Sequence, residues 1–514
     1  MGDMEEAVSR VAKGSAFLVA GQLASNLIAL VAFTLIARSI TKAEMGVATI
    51  MNFMIVLGMI VSGAGVPTSS VRFISEARGK GADYMVFIKA SVLSRTILAM
   101  VFSSTLAILA DLASTLLFGT NSYAPLFYLA AIGGALYGFT ATFNNALVGL
   151  NAMKEVCASY VLSAVAGQST ALLLIWSGWG VFGYVSGWVV AGLTGSLVSG
   201  ILLARAVVGK APSGGSSVLA TMKALLAFSA PILATNIANY IFTCFDMFAL
   251  TNLGTPEELG MYSVAMKAYT VITAIPINIA MAIFPYYGEQ YGREDEEAIR
   301  TATITISRYL SLLFTPVALG IAAVAGPILV IFAGEKYVGS TPILMVFGFF
   351  GALTALIPMM GFLLITYKRT KAYMAANLSS VLLSLSLAPL LIPCLGVLVG
   401  MAFVRAIALV LLLAFYILCT RHIASVDCRS FAKGLLGSSI MAIVVYLAQY
   451  WLQDPLLLPL YVLLGVLVYG ACIKILRALS WDDVLFLSRA LPGPLKRTAL
   501  AVGRLLAYGG GEEG

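Results

Sequence analysis

Apolar runs of about twenty residues recur along this chain from one end to the other. A helix needs about twenty apolar residues to cross the ~30 Å hydrocarbon layer of a membrane, so each run is long enough to span it. A chain of 514 residues that is 60% hydrophobic and 11% charged cannot keep that apolar surface inside one soluble core. The pattern therefore predicts an all-α polytopic membrane protein with about fourteen transmembrane helices.

The predicted spans follow one another with short connections, which leave no room for a folded soluble domain. Their predicted limits are residues 14–37, 45–66, 86–111, 123–150, 157–177, 180–204, 224–251, 259–285, 302–332, 341–366, 372–393, 396–420, 434–452 and 457–476. The charged N-terminal segment precedes a first span that is too long for a cleaved signal peptide, so we expect this segment to be retained.

Lysine and arginine lie mainly on one side of this topology, the side that holds both termini. The opposite side carries only three basic residues: Arg38, Lys42 and Lys336. Cytoplasmic loops carry the excess of basic residues, so we expect a multi-pass protein of the cell (cytoplasmic) membrane with both termini cytoplasmic. This bias accounts for the net charge of +8, and the sequence predicts no nucleic-acid partner.

Neither cysteine nor histidine forms a pattern that indicates a metal site. The six cysteines are scattered and the single histidine, His422, lies in a predicted loop. The chain also has no nucleotide-binding sequence of the G-x-x-x-x-G-K-[ST] type. We therefore expect no metal, no cofactor and no ATP site, while coupling to Na⁺ or H⁺ through Asp246 remains open.

The chain contains an internal repeat. An offset of 214 residues places Glu44 on Glu258 and Gly46 on Gly260. Six spans separate equivalent helices, so the two halves have the same orientation, and such parallel repeats enclose a central cavity. The predicted domains are an N-terminal lobe (1–210), a C-terminal lobe (211–424), an accessory pair of spans (425–479) and a cytoplasmic amphipathic tail (480–514).

Ionisable residues inside the spans are the candidates for binding, because a charge at mid-membrane costs at least ~2.5 to 3.5 kcal/mol and tends to face a wet cavity. The candidates are Arg95, Lys267, Arg308, Arg405 and, as the one acid, Asp246. The interior is therefore predicted to be positively charged, which favours an anionic cargo. Arg95 and Arg308 have an alternative, since both can extend to the cytoplasmic interface.

Two spans also carry polar faces at helical spacing. In span 7 the face consists of Asn236, Asn239, Thr243 and Asp246, and in span 8 of Lys267, Thr270, Ala274 and Asn278. A polar face must meet protein or water rather than lipid. One interpretation is a cavity lining that binds phosphate and sugar hydroxyls. The other is hydrogen bonding between helices, with Asp246 and Lys267 as a neutral structural pair.

Three segments resemble the motifs of a known superfamily. The segment ARSITKAEMGVATI (37–50) resembles an R-x-L-x-x-x-E-x-G signature, and its repeat FDMFALTNLGTPEELGMYSVAMKAY (245–269) resembles a D…L-G…E-x-G-x-Y-S-x-A pattern. A charged loop after span 2, SSVRFISEARGKG, is similar as well. Together they resemble the multidrug/oligosaccharidyl-lipid/polysaccharide (MOP) exporter superfamily, and most of all its Wzx-type flippases. Glu44, Gly46 and their repeat partners are expected to have structural roles.

This resemblance implies a transporter rather than an enzyme. The implied function is to flip a lipid-linked oligosaccharide to the outer leaflet by alternating access through a cationic cavity, with membrane lipids as its other partners. We expect the protein to be a monomer. Two functions within the superfamily remain open, an ion-coupled drug antiporter and a lipid II-type flippase. A glycosyltransferase or polymerase would need a large external loop with carboxylates, and the external segments are too short for one.

Overall fold

Every regular element in the part of the chain that the structure describes is helical. The structure is a computed structural model that describes residues 2–208, 217–423, 425–479, 481, 483, 484 and 503, without the side chains of residues 2–16, 18, 19, 235 and 242. Within these residues the α-helices are α1 (Gly2–Ser39), α2 (Lys42–Gly63), α3 (Val66–Gly79), α4 (Met85–Ile108), α5 (Ala110–Phe118), α6 (Ala124–Gly149), α7 (Met153–Leu174), α8 (Gly180–Val207), α9 (Val218–Leu253), α10 (Pro256–Gly292), α11 (Glu296–Ala323), α12 (Ala325–Ala333), α13 (Thr341–Thr354), α14 (Ile357–Thr366), α15 (Thr370–Leu395), α16 (Val397–Thr420), α17 (Cys428–Leu452) and α18 (Leu458–Ile475).

The helices confirm a polytopic membrane protein. Thirteen stretches of the described chain are long and apolar enough to cross a membrane. One of them, Met153–Val207, is 55 residues long and contains both α7 and α8. These helices fold back on each other, because Gly167 packs against Ala191 and Gly183 packs against Leu174. This stretch therefore supplies two antiparallel spans, which brings the number of spans to about fourteen, as the apolar runs predict.

Several spans are interrupted in ways that the apolar pattern does not reveal. α2 ends where Ala64 and Gly65 take φ values of 46° and 73°, a left-handed conformation that cannot continue a right-handed helix. The predicted ninth span is divided into α11 and α12, and the predicted tenth into α13 and α14. Hydrophobic residues continue through these breaks, so the apolar runs hide them, although Pro67, Pro327 and Pro358 lie in the first turns of α3, α12 and α14.

The chain separates into two compact units, Met1–Ser263 and Val264–Gly514. In the first unit α8 packs along α6 and α7, while α1 packs on α7 and α2 packs on α6. One cluster of its core is formed by buried apolar side chains that include Ile74, Leu147 and Val156. The first unit therefore holds its helices together by ordinary packing of apolar side chains.

In the second unit α11 packs against both α13 and α17, and α15 packs against α16. The two predicted accessory spans, α17 and α18, contact each other, and a buried cluster with Met441, Val445 and Tyr461 joins them to the end of α11. The lobe limits 1–210, 211–424 and 425–479 stay predictions. The predicted amphipathic tail, 480–514, lies almost entirely outside the described residues.

Candidate functional site

A buried arginine holds three helices of the first unit together. Arg95, on α4, is 2% exposed. Its Nε donates a hydrogen bond to Oγ1 of Thr142 at 3.0 Å, and its Nη1 donates to the carbonyl of Met59 at 2.9 Å and to Oγ of Ser62 at 2.7 Å. The guanidinium thus connects α4 with α2 and α6.

Two glycines provide the space for this guanidinium. A Cβ added at Gly63 would lie 2.8 Å from Nη2 of Arg95, and one at Gly138 would lie 2.6 Å from Nη1. Among the described residues no carboxylate lies within ion-pair distance of Arg95, and its Nη2 has no protein hydrogen-bond partner. The carbonyl end of α2, where the helix dipole is negative, offsets part of the charge. A contact of Arg95 with cargo stays a prediction.

The polar face predicted for span 8 is accessible. Lys267 and Thr270 of α10 are exposed, although residues 262–266, 268 and 269 are buried. Asn278, three turns further along the helix, is also exposed. In a membrane an accessible side chain meets either lipid or water, and lipid cannot satisfy an ammonium or an amide group. The three side chains are thus accessible on α10, and their contact with a hydrated cavity stays a prediction.

Arg405 belongs to a group of aromatic and polar residues in the second unit. It is half-buried on α16 and lies close enough to Tyr269 of α10 to interact with it electrostatically. Tyr269 also packs against Phe347 with tilted rings, at 5.2 Å between ring centroids, and it packs closely on Gly351 of α13. Three helices, α10, α13 and α16, therefore meet around Tyr269.

The polar face predicted for span 7 is partly accessible and partly buried. Asn239 and Thr243 are exposed, Asn236 is half-buried, and Asp246 is 1% exposed. The hydroxyl of Tyr262 donates a hydrogen bond to Oδ2 of Asp246 at 2.5 Å. The structure thus gives Asp246 an aromatic hydroxyl as a partner, while a role of Asp246 in ion coupling stays a prediction.

Arg308 has an acidic partner that the sequence analysis missed. Its Nη2 forms an ion pair of 2.6 Å with Oδ2 of Asp483, and the hydroxyl of Tyr309 donates to Oδ1 of Asp483 at 3.1 Å. Asp483 belongs to the segment predicted as an amphipathic tail. Only a weak pattern points to Asp483, because the two aspartates that follow the last span match no known motif.

The motif glutamates cap two repeat-equivalent helices. The hydroxyl of Thr41 accepts a hydrogen bond from the backbone N–H of Glu44 at 3.2 Å, and the Glu44 carboxylate accepts one from the backbone N–H of Thr41 at 2.8 Å. Thr255 and Glu258 repeat this pattern at α10, at 3.3 and 2.8 Å. Glu44 also accepts from the backbone N–H of Val181, at the start of α8, at 3.1 Å. The threonines were missed, although T-x-x-E is the capping-box pattern.

Gly46 and Gly260, two residues after these glutamates, are in direct contact. A Cβ added at Gly46 would overlap the backbone carbonyl of Pro256, and one added at Gly260 would overlap the backbone carbonyl of Lys42. The first turns of α2 and α10 therefore cross backbone to backbone. These contacts are structural ones, as the sequence analysis expects for both glycines.

The charged motif after span 2 fastens α3 to its neighbours. The guanidinium of Arg72 lies 5.4 Å from the ring centroid of Phe228, and Nη1 of Arg78 donates to the carbonyl that follows α6 at 2.7 Å. Glu76 pairs with Lys80 at 2.5 Å on the surface. The hydrogen bond and the charge of Lys80 lower the pKa of Glu76. The motif residues thus have contacts that explain them without a ligand.

Comparison with known families gives two matches. The model described as "Polysaccharide biosynthesis protein" matches residues 11–290, and the model described as "MatE" matches residues 231–390. The Teichuronic acid biosynthesis protein TuaB of Bacillus subtilis (strain 168) is 26% identical over 137 residues, which are 26% of this chain and 28% of TuaB. The chain thus spans less than a third of the length of that relative in the match.

Comparison with solved structures finds the same architecture. The chain is similar to the lipid II flippase MurJ in its inward closed conformation, with a TM-score of 0.72, 16% identity and coverage of 89% of this chain and 98% of that one. It is also similar to an inward-facing multidrug resistance MATE family transporter of the MOP superfamily, with a TM-score of 0.59, 16% identity and coverage of 78% and 95%. At this identity the likeness concerns the fold alone. Because the polysaccharide biosynthesis model matches more than half of the chain, this multi-pass membrane protein belongs to the polysaccharide biosynthesis protein family, within the MOP superfamily that its motifs predict.

Proposed function

We propose that this protein is a flippase that moves a lipid-linked oligosaccharide from the cytoplasmic to the outer leaflet, with a polyprenyl or dolichyl phosphate or diphosphate as the lipid carrier. The family match supports polysaccharide biosynthesis as the process. The observation that carries the proposal is the accessible polar face of α10, where Lys267, Thr270 and Asn278 are exposed on a helix that crosses the membrane. This face suits a hydrated path for a polar headgroup.

The physical problem that such a protein solves is the desolvation of sugar. Each hydroxyl group moved unpaired into hydrocarbon costs several kcal/mol, about 2 to 7, so a glycan crosses a bare membrane very slowly. A hydrated cavity lined by amide, hydroxyl and ammonium groups removes most of that cost. The lipid tail stays in the bilayer while the headgroup crosses, and alternating access then exposes the headgroup on the other side.

Charge supports an anionic cargo. Lys267 is accessible and Arg405 is half-buried in the second unit, and Arg95 adds a buried positive charge to the first. A phosphate or diphosphate is drawn to such a positively charged interior, and guanidinium groups match its geometry. An inside-negative membrane potential also favours outward movement of an anion, by about 2.3 kcal/mol per charge per 100 mV.

The test is leaflet transfer in liposomes. Full-length protein is reconstituted with a fluorescent lipid-linked glycan, and the fraction protected from an external quencher is followed over time. We expect Lys267→Ala and Arg405→Ala to slow transfer at least tenfold without lowering the thermal unfolding midpoint. The matched control is Lys371→Ala, which removes an exposed lysine at the start of α15.

The outcomes separate the function from the residues assigned to it. Wild-type protein that transfers no lipid-linked glycan, with or without a Na⁺ or H⁺ gradient, would refute the flippase. Wild-type transfer that survives unchanged in both alanine variants would refute the roles of Lys267 and Arg405 alone. Transfer that requires one of the two gradients would identify the coupling ion, and Asp246→Asn would then test whether that residue carries it.

A second candidate function is an ion-coupled multidrug or small-molecule antiporter. The MatE match over residues 231–390 and the fold shared with a MATE family transporter favour it. The positive charges of Arg95, Lys267 and Arg405 disfavour organic cations as cargo. Liposomes loaded with a fluorescent organic cation distinguish the two functions, and a parallel assay with lipid II, suggested by the fold shared with MurJ, tests a lipid II-type flippase.

A further inference from the structure

A cavity of about 370 Å³ opens in the second unit where three helices converge. It is lined by Arg308, Asp427, Arg429, Ser430, Lys433, Arg477 and Ala478. Arg308 comes from α11, Asp427 caps the start of α17, three residues lie in the first turns of α17, and the last two follow the end of α18. The cavity therefore lies at the shared end of the two accessory spans.

The lining is rich in positive charge. Four of the lining residues are basic, and Asp427 is the one acid among them. Asp427 is engaged in capping α17, since its carboxylate accepts from the backbone N–H of Ser430 at 3.0 Å and from the Ser430 hydroxyl at 2.7 Å. With Asp483 paired to Arg308, two positive charges remain in excess. An anion of one to two negative charges would balance them.

The carboxylate of Asp427 stays ionised in this setting. Burial raises its pKa, but the hydrogen bonds from Ser430 and the charge of Arg308 outweigh this effect and hold the pKa of Asp427 below its ordinary value of 3.8. The backbone N–H of Asp427 donates to Oγ of Ser307 at 3.1 Å, which fixes the start of α17 against α11. The acid therefore serves the scaffold of the cavity, and the basic side chains are what it presents to a ligand.

Arg477 occupies a backbone position that favours glycine. Its φ is 46°, and the backbone N–H groups of Arg477 and Ala478 donate to the carbonyls of Lys474 and Ile473 at 3.1 and 3.0 Å. This is the Schellman ending of a helix, in which glycine normally takes the left-handed residue. The Nζ of Lys433 donates to the carbonyl of Arg477 at 2.8 Å. The backbone thus gives no reason for an arginine here, and its side chain adds positive charge to the cavity lining.

The surface next to the cavity is apolar. On α17, Leu436 and Ile440 follow Lys433 at spacings of three and seven, so they lie on the same helix face, and they are 58% and 49% exposed. Ile475, beside Arg477 at the end of α18, is 79% exposed. A charged cavity bordered by accessible hydrocarbon matches a ligand with an anionic head and an apolar tail.

We infer that this cavity binds the phosphate headgroup of a membrane lipid, with Arg429, Lys433 and Arg477 as its ligands and the apolar face of α17 against its acyl or prenyl chain. Guanidinium groups bind phosphate oxygens in pairs, and the N-terminus of α17 adds a favourable dipole. The same chemistry is offered by an anionic phospholipid and by a polyprenyl phosphate. The three ligands are separate from Lys267 and Arg405, the residues tested for transport, so the failure of one proposal leaves the other standing.

The test measures lipid binding to the full-length protein in a neutral detergent. Native mass spectrometry counts bound lipid during titration with phosphatidylglycerol, polyprenyl phosphate, phosphatidylcholine or inorganic phosphate. We expect Arg477→Gly to raise the Kd for the anionic lipid, phosphatidylglycerol or polyprenyl phosphate, at least tenfold, and Arg429→Gln combined with Arg477→Gly to abolish binding. Arg421→Gln is the matched control, since Arg421 is an exposed arginine outside the cavity lining.

Arg477→Gly separates ligand binding from folding, because glycine suits the left-handed backbone at this position. We expect its thermal unfolding midpoint in lipid-free detergent to equal or exceed that of the wild type. Binding of phosphatidylglycerol alone would identify a bilayer lipid as the ligand, and binding of polyprenyl phosphate alone would identify the carrier. Equal binding of phosphatidylcholine, equal binding of inorganic phosphate, or lipid binding unchanged in both variants would overturn the inference.

Discussion

The crossing of α2 and α10 offers a sharp test of the structure. Gly260→Ala adds one methyl group at the point where these helices touch, and the nearest atoms to it are backbone atoms of Lys42 and Gly46. A backbone atom cannot rotate away as a side chain can, so the two helices must separate. Gly288→Ala is the matched control, because it lies in the same helix with no heavy atom near its Cβ position.

The expected magnitude follows from overpacking. Inserting a methyl group into a tight contact costs about 1 to 3 kcal/mol. The better helix propensity of alanine stabilises α10 whether or not the two helices touch, so it does not offset this cost. This cost destabilises the contact between the capped first turns of α2 and α10. If the free energy needed to separate the first turns of α2 and α10 falls by about 1 to 3 kcal/mol, these turns should separate roughly 5 to 150 times more often. Gly288→Ala should instead stabilise its helix slightly.

Hydrogen exchange followed by mass spectrometry measures this opening directly. Peptides covering residues 41–48 and 255–262 should exchange about 5- to 150-fold faster in Gly260→Ala than in the wild type. The same peptides should be unchanged in Gly288→Ala. Exchange within twofold of the wild type in both peptides of Gly260→Ala would refute a backbone contact at this crossing.

Three further predictions concern stability, measured as the free energy of unfolding in detergent. Arg95→Met should lower the free energy of unfolding by about 1 to 3 kcal/mol for each buried acceptor left without its donor. Its control, Lys89→Gln on the exposed side of the same helix, should lower it by less than about 0.5 kcal/mol. Glu258→Ala should cost about 0.5 to 2 kcal/mol through the lost capping box, and its neighbour Glu257→Ala clearly less, or the capping role is wrong. Asp427→Asn should lower the free energy of unfolding at pH 7. Because the pKa of Asp427 is lower in the folded than in the unfolded state, the difference between wild type and variant should begin to shrink below pH 3.8 and vanish as the pH falls through the folded pKa. A difference that does not change with pH would contradict this prediction.

The helical membrane architecture could be predicted because it depends on hydrophobicity and length alone. The apolar runs predicted spans such as 123–150 and 396–420, and the helices found are Ala124–Gly149 and Val397–Thr420. The capping of α2 and α10 could also have been predicted, since T-x-x-E precedes both helices. Local patterns of this kind can be recognised in the sequence because the interacting groups are only three or four residues apart.

The candidate residues were only partly predictable. The sequence singled out Arg95, Lys267 and Arg308 as charges within spans, yet each has a different environment in the structure. Arg95 is buried among hydroxyl and carbonyl groups, Lys267 is accessible, and Arg308 pairs with Asp483. A charge in an apolar run looks the same in all three cases, because the run does not say which neighbours the helix meets.

The chain by itself determined that it crosses the membrane many times and which charges lie within its apolar runs. It could do so because the energy of an apolar or charged residue in hydrocarbon depends mainly on its own chemistry. Only the tertiary structure decided that Gly46 touches Gly260 and that Arg308, Lys433 and Arg477 line one cavity. Those meetings depend on how helices far apart in sequence pack side by side, and packing is a property of pairs of surfaces that no single segment contains.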